Sequence, residues 1–318
     1  MCSSDLKGIT IGRHVEFLKE LIDAFEAKGY TIRLPWKVLN AANYGVPQNR
    51  ERLILMGSKL GLALPDYPTS ICRPAGTSDD GSGLPEGPSC SDALSDLPDA
   101  EKYKALLSSD SVKATWGEPS EYAKVLRGLK PSAEGFGPKR IWDASKLTSS
   151  MRSEHTEISR RRFAETKGGE VEPTSRFFRL PANGVSNTLR AGTDSARGAF
   201  TSPRPIHYRY ARCVTVREMA RLHGFPDWFR LHQTKWHGAR QIGNAVPPPL
   251  ARAIAERIIS AAGVKPTKPK GAIALGDVSL LQLDMKEASA YFAVETPIGR
   301  RDRKGAPKPR QKDDRLGI

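Results

Sequence analysis

Two short segments of this 318-residue chain place chemistry-bearing side chains at fixed spacing. In Gln48-Asn49-Arg50-Glu51-Arg52 two arginines stand two residues apart, and on an extended backbone they share one face. A guanidinium is planar and always charged, so such a pair suits an oxygen that gathers negative charge during a reaction. The same alternation of charges also describes a solvated edge strand. In Arg240-Gln241-Ile242-Gly243-Asn244-Ala245-Val246-Pro247-Pro248-Pro249-Leu250 a Gly-Asn turn precedes three prolines and an apolar segment, the order of a rigid loop feeding a helix. A glycine-containing turn at a helix start can hold many small ligands through its outward N–H groups.

These segments need elements to hold them. His14 to Lys28 reads as an amphipathic helix, with Val15, Leu18, Ile22 and Phe25 at helical spacing and Gly29 as its stop. Tyr30 to Leu39 and Leu53 to Met56 read as strands, with a turn at Asn43 to Pro47, so that the Gln-Asn-Arg-Glu-Arg segment lies between two sheet-edge strands. Residues 57–98 turn to Pro, Gly, Ser and Asp without periodicity, which is connector composition. A loop-rich region follows, with a basic cluster at Lys139, Arg140, Lys146, Arg152, Arg160, Arg161 and Arg162. Thr215-Val216-Arg217-Glu218 is a capping box, and its helix runs to Gly224 and Pro226. Arg217 and Glu218 read as a local pair. A last helix, Leu250 to Ala262, puts Leu250, Ile254, Ile258 and Ile259 on one face; Ala272 to Leu283 is weakly apolar, and Arg300 to Arg315 reads as a solvated, disordered run.

The chain carries 50 Lys plus Arg against 35 Asp plus Glu, a net of +15, which favours a polyanionic partner. Nothing approaches the apolar length of a membrane span, and no signal-peptide pattern opens the sequence, so a cytoplasmic location is expected. Cys2, Cys72, Cys90 and Cys213 form no Cys-x-x-Cys pair and have no histidine at zinc-ligand spacing; they read as free thiols, with no metal site.

Together and in this order, Gly45-Val46-Pro47-Gln48-Asn49-Arg50-Glu51-Arg52, Arg212 to Pro226 and Gln241 to Pro248 resemble the late motifs of the cytosine-5 DNA methyltransferases. The resemblance covers about residues 10–262. It implies an α/β fold: the C-terminal part of a Rossmann-like S-adenosylmethionine-dependent methyltransferase domain, plus a smaller, loop-rich target-recognition domain. The expected divisions are 1–96 for the catalytic remainder and connector, 97–238 for target recognition, 239–263 for the returning helix and 264–318 for a basic, partly disordered extension. By the same resemblance Arg52 contacts O2 of a flipped cytosine and Arg50 supports the DNA or the pocket. Asn244 and Ala245 contact S-adenosylmethionine, the Arg212–Pro226 motif is architectural, and duplex DNA is the substrate. Gln48, Arg160, Arg161, Arg162, Arg176 and Arg190 are the candidate DNA contacts.

The departures matter equally. The family's Phe-x-Gly-x-Gly turn, its Pro-Cys nucleophile and its Glu-Asn-Val segment are absent, and none of the four cysteines follows a proline. The reading is therefore an N-terminally truncated methyltransferase, inactive alone, from a bacterial or phage source. A non-catalytic DNA-binding subunit completed by a separate N-terminal chain competes with it, and an RNA-directed relative is a third reading. A cognate restriction endonuclease is a further possible partner. Cys2-Ser3-Ser4-Asp5-Leu6 matches what a common sequencing-adapter end encodes, so Met1 to Leu6 is expected to be foreign to a gene that continues upstream.

Overall fold

The computed structural model describes residues 14–130, 138–193, 204–267 and 271–296; Met1 to Leu6 and Arg300 to Arg315 lie outside them. Helix α1 (His14–Glu26) buries Leu18 and Ile22, one turn apart, against Ile32, Trp36, Leu53 and Leu55. Gly29, at φ +77°, turns the chain into β1 (Tyr30–Ile32). The expected strand over Tyr30 to Leu39 is broken in two, because Pro35 has no N–H to give to a ladder. Its second half is β2 (Lys37–Asn40), which pairs antiparallel with β3 (Glu51–Ile54), Leu39 opposite Arg52 and Asn40 opposite Glu51. Strand β1 pairs antiparallel with β4 (Gly57–Lys59).

After β4 the chain runs irregularly to α2 (Cys90–Leu94), capped by Ser89 and Asp92. Two short strands, β5 (Val112–Lys113) and β7 (Lys146–Leu147), pair antiparallel around α3 (Glu121–Leu126) and β6 (Arg140–Ile141). Helices α4 (Glu157–Glu165), α5 (Val216–Leu222), α6 (Lys235–Asn244) and α7 (Pro248–Ala261) follow. Strand β8 (Ile273–Ala274) pairs parallel with β6, and α8 (Met285–Tyr291), which the polar composition had hidden, carries an Asp284–Glu287 capping box. Among the described residues strands pair only in twos, so the fold is α/β with short ladders and contains no Rossmann-like parallel sheet there.

Of the four buried clusters among the described residues, two flank the motif segments. The larger gathers α2, Leu97, Leu106, Leu147, Leu180 and Leu189 around α5, whose every residue is buried. The smaller packs Leu39, Ala41, Tyr44, Val46, Met56 and Tyr67 against Leu250 at the start of α7. Farther along α7 the expected apolar face opens to solvent, with Ile258 49% exposed. Residues 44–52 run between the two cores. Among the described residues no helix is long and apolar enough to cross a membrane.

Candidate functional site

Asn40 ends β2 and caps the 3-10 turn Ala41–Tyr44; its Oδ1 accepts from the N–H groups of Ala42 and Arg50. Gly45 then reverses the chain at φ +76°, a conformation that costs glycine least. Asn49 N–H donates to Ser186 O, Ser186 N–H to Pro47 O, and the Thr188 hydroxyl to Asn49 O. The Gln-Asn-Arg-Glu-Arg segment thus enters β3 already fastened to residues 186–188 from the middle of the chain.

Gln48, expected to meet DNA, is instead fully buried. Its Nε2 donates to His223 Nδ1 at 2.9 Å, and its Oε1 accepts from Leu189 N–H at 3.1 Å. A buried amide must spend its polar groups internally, and Gln48 does so. Arg50 is also buried, 3% exposed, whereas Arg52 is half-buried. Its guanidinium donates to Leu189 O at 3.0 Å, Gly243 O at 2.7 Å and Ala245 O at 3.0 Å. Arg50 is a clamp between three segments and offers no fork to DNA. Arg52, opposite Leu39, donates from Nη1 to the carbonyl of Glu51.

The Gly243-Asn244 turn is a helix end. Gly243 lies inside α6, where a Cβ would come within 2.2 Å of Ala191 N and 2.4 Å of its Cα. Glycine is there because two backbones touch, not because the chain must turn. Asn244 is the exposed last residue of α6; half-buried Ala245 links it to Val246 and Pro247, and α7 starts at Pro248. Ala245 N–H donates to Ile242 O, and its carbonyl receives Arg50 and lies 3.1 Å from His223 Nε2.

The Thr215–Glu218 capping box forms as expected, but Arg217 and Glu218 are not a pair. Successive helix residues face different directions. Arg217 donates to Thr148, Pro226 O and Phe229 O, while the Glu218 carboxylate takes both ends of the Arg212 fork at 2.8 and 2.9 Å. Arg221, fully buried, is held by Asp96 and Asp227. Burial opposes the Glu218 charge, yet Arg212 holds its carboxyl down at about 2.

Of the surface candidates, Arg161, Arg176 and Arg190 are exposed. Arg160 is ion-paired with Glu101, whose carboxyl it holds below the usual range, and Arg162 lies 3.7 Å from the Glu172 carboxylate. Arg190 borders an open cleft of about 540 Å³ with Asn40, Asn49, Glu51, Phe178, Asn187 and Thr188. Those asparagines carried no sequence signal, because the cleft exists only once residues 186–190 dock on the hairpin.

The model of the C-5 cytosine-specific DNA methylase family matches residues 6–260. The chain belongs to that family. It is 52% identical over 313 residues to the Type II methyltransferase M.XorII of Xanthomonas oryzae pv. oryzae, covering 98% of this chain and 70% of that protein. The Type II methyltransferase M.AgeI of Thalassovita gelatinovora is 28% identical, over 76% of this chain and 68% of its own. A crystal structure described as a prophage-encoded DNA modification methyltransferase of E. coli aligns at a TM-score of 0.58 with 27% identity, over 81% of this chain and 68% of its own.

For a cytosine-5 methylase the thiols are decisive. Cys72, Cys90 and Cys213 are all buried, and burial pushes each thiol up, Cys213 to about 11. None is placed to act as a thiolate.

Two buried histidines give the fold a pH dependence. Burial lowers His223 and His207 to about 3 each, and for His207 it outweighs the Glu218 carboxylate 3.7 Å away. The unfolded chain takes up these protons below about pH 6.5 while the fold refuses them until near pH 3, so stability is lost as pH falls through that window. At pH 5 each histidine costs roughly 2 kcal/mol. Thermal unfolding at pH 7.5 and 5.0 should show Tm falling by on the order of 10 °C; an unchanged Tm would contradict the burial of neutral imidazoles.

Proposed function

We propose that this chain is the DNA-reading and pocket-closing part of a DNA (cytosine-5-)-methyltransferase acting on a specific duplex sequence. The observation that carries the reading is the buried junction of Gln48, Arg50 and His223, which joins the three motif segments and residues 186–191 into one unit. C5 of cytosine is a poor nucleophile. A thiolate must add at C6, which pushes negative charge onto the ring and makes C5 reactive; after transfer the C5 proton leaves and the thiolate is expelled. The base must first leave the duplex. S-adenosylmethionine, when bound, supplies the electrophilic methyl group.

The role proposed for Arg52 is to face the cytosine O2 and oppose that charge, with Arg50 as a positioning residue behind it. Asn244 and Ala245 are the residues proposed for one wall of a donor site: Asn244 is exposed at the end of α6, while Ala245 has committed its N–H and carbonyl internally and packs half-buried against the larger core, backing the turn. Exposed Arg161, Arg176 and Arg190 serve duplex DNA, Arg161 and Arg176 at phosphates and Arg190 at the cleft. The buried thiols favour a thiolate contributed from outside Cys72, Cys90 and Cys213, either by further residues of the same protein or by a complementing chain. The Type II relatives extend the proposal to restriction–modification, with a cognate endonuclease as the biological partner.

Duplex binding by the purified chain tests its share of this function. Affinity for mixed-sequence DNA should fall steeply with salt, each neutralised phosphate adding about one unit to the log–log slope. A salt-insensitive affinity, or none at low salt, would contradict the reading.

A further inference from the structure

His223 forms the C-terminal cap of α5, fully buried, its ring stacked near-parallel on Phe225 at 5.7 Å. Both ring nitrogens are engaged: Nδ1 lies 2.9 Å from Gln48 Nε2 and Nε2 lies 3.1 Å from Ala245 O. Ala245 O can only accept, so His223 Nε2 carries the proton and donates; Nδ1 then accepts from the Gln48 amide. This fixes the Gln48 orientation, because its other atom, Oε1, must accept from Leu189 N–H, as the 3.1 Å contact requires. The order is Leu189 N–H to Gln48 Oε1, Gln48 N–H to His223 Nδ1, and His223 Nε2–H to Ala245 O. Each link fixes the polarity of the next, so a single imidazole sets the direction of the whole relay.

The ends of that relay belong to two segments far apart in the chain, brought side by side by the fold. Leu189 precedes Arg190 at the rim of the cleft that also holds Asn49 and Thr188. Ala245 follows Asn244 at the turn between α6 and α7. Arg50 spans the same two ends, on Leu189 O and Ala245 O, so the relay and the clamp close one ring. We propose that His223 is a positioning residue which, as a neutral Nε2–H imidazole, sets the Asn244–Val246 turn in register with the Leu189–Arg190 rim, and so couples the donor side of the site to its DNA side. The assignment of the two sides rests on the proposed function; the mechanical coupling rests on the hydrogen bonds alone.

A test compares His223→Leu, which removes both contacts, with His223→Gln, whose amide also offers one donor and one acceptor. Amide hydrogen exchange in the full chain should quicken about tenfold or more at Leu189 and Ala245 in His223→Leu, while Met219, a donor within α5, and Ser95, the C-terminal cap of α2, keep wild-type protection. His223→Gln should return both sites to within about threefold of wild type. Affinity for a mixed-sequence duplex should fall severalfold in His223→Leu at an unchanged salt slope, since no phosphate contact is removed. Should His223→Leu fail to fold, His223→Asn, polar but too short to span both partners, is read the same way. A uniform rise in exchange over all four amides would make His223 a stability residue and overturn the proposal. So would wild-type protection at Leu189 and Ala245, or a His223→Gln as loose as His223→Leu. Selective loosening without any DNA binding would keep the coupling and defeat the proposed function instead.

Discussion

Arg52→Ala, assayed in a methylating complex of this chain with a polypeptide that supplies a thiolate, should slow methyl transfer by roughly a hundred- to a thousand-fold while weakening DNA binding far less. The reason is when the charge appears. Cytosine O2 becomes electron-rich only after sulfur adds at C6, so a guanidinium facing it stabilises the transition state more than the bound ground state. Loss of one such donor typically costs about 2.7–4 kcal/mol. Arg52→Lys should recover little, because an ammonium lacks the planar fork. Arg161, exposed on α4, should behave oppositely: its removal should lower affinity across all sequences and leave the chemical step intact. Single-turnover rates at saturating DNA separate the two. An Arg52→Ala enzyme that keeps the parent rate there would make Arg52 a docking residue.

Arg50 belongs to neither class. Its fork is filled by three carbonyls, from Leu189, Gly243 and Ala245, so its part is to hold the segments that carry Arg52 and Asn244. The sequence shows two arginines at matched spacing and cannot distinguish them, because the partners that bury Arg50 lie 139 to 195 residues away. Gln48 escaped for the same reason: its partners in Leu189 and His223 are equally remote.

Features decided within a few residues were legible. The Thr215–Glu218 capping box forms as read, and Gly29 and Gly45 adopt the positive φ angles that their turns need. Gly243 shows the limit. A glycine followed by asparagine and prolines reads as a turn, yet what demands glycine is the backbone of Ala191 pressed against α6. Arg217 and Glu218 mark the same boundary, since adjacency suggested a pair and helical geometry sent them to Thr148 and Arg212. Helix α8 was missed because its seven residues, Met285–Tyr291, are too few and too polar for a clear period, although its capping box was there to find.

The second large effect is all or none. Burial pushes the thiols at Cys72, Cys90 and Cys213 up, away from the thiolate form that adds to a base, and all three are closed off from a substrate. Incubated alone with labelled S-adenosylmethionine and mixed-sequence duplex DNA, the purified chain should leave the DNA unlabelled. Supplied with a polypeptide that carries a Pro-Cys and a Glu-Asn-Val segment, it should label C5 of cytosine in one sequence context, located by bisulfite sequencing. Methylation by the chain alone would show that the nucleophile has been misjudged. A folded, complemented complex that binds DNA but places no methyl group on C5 of cytosine would contradict the account itself.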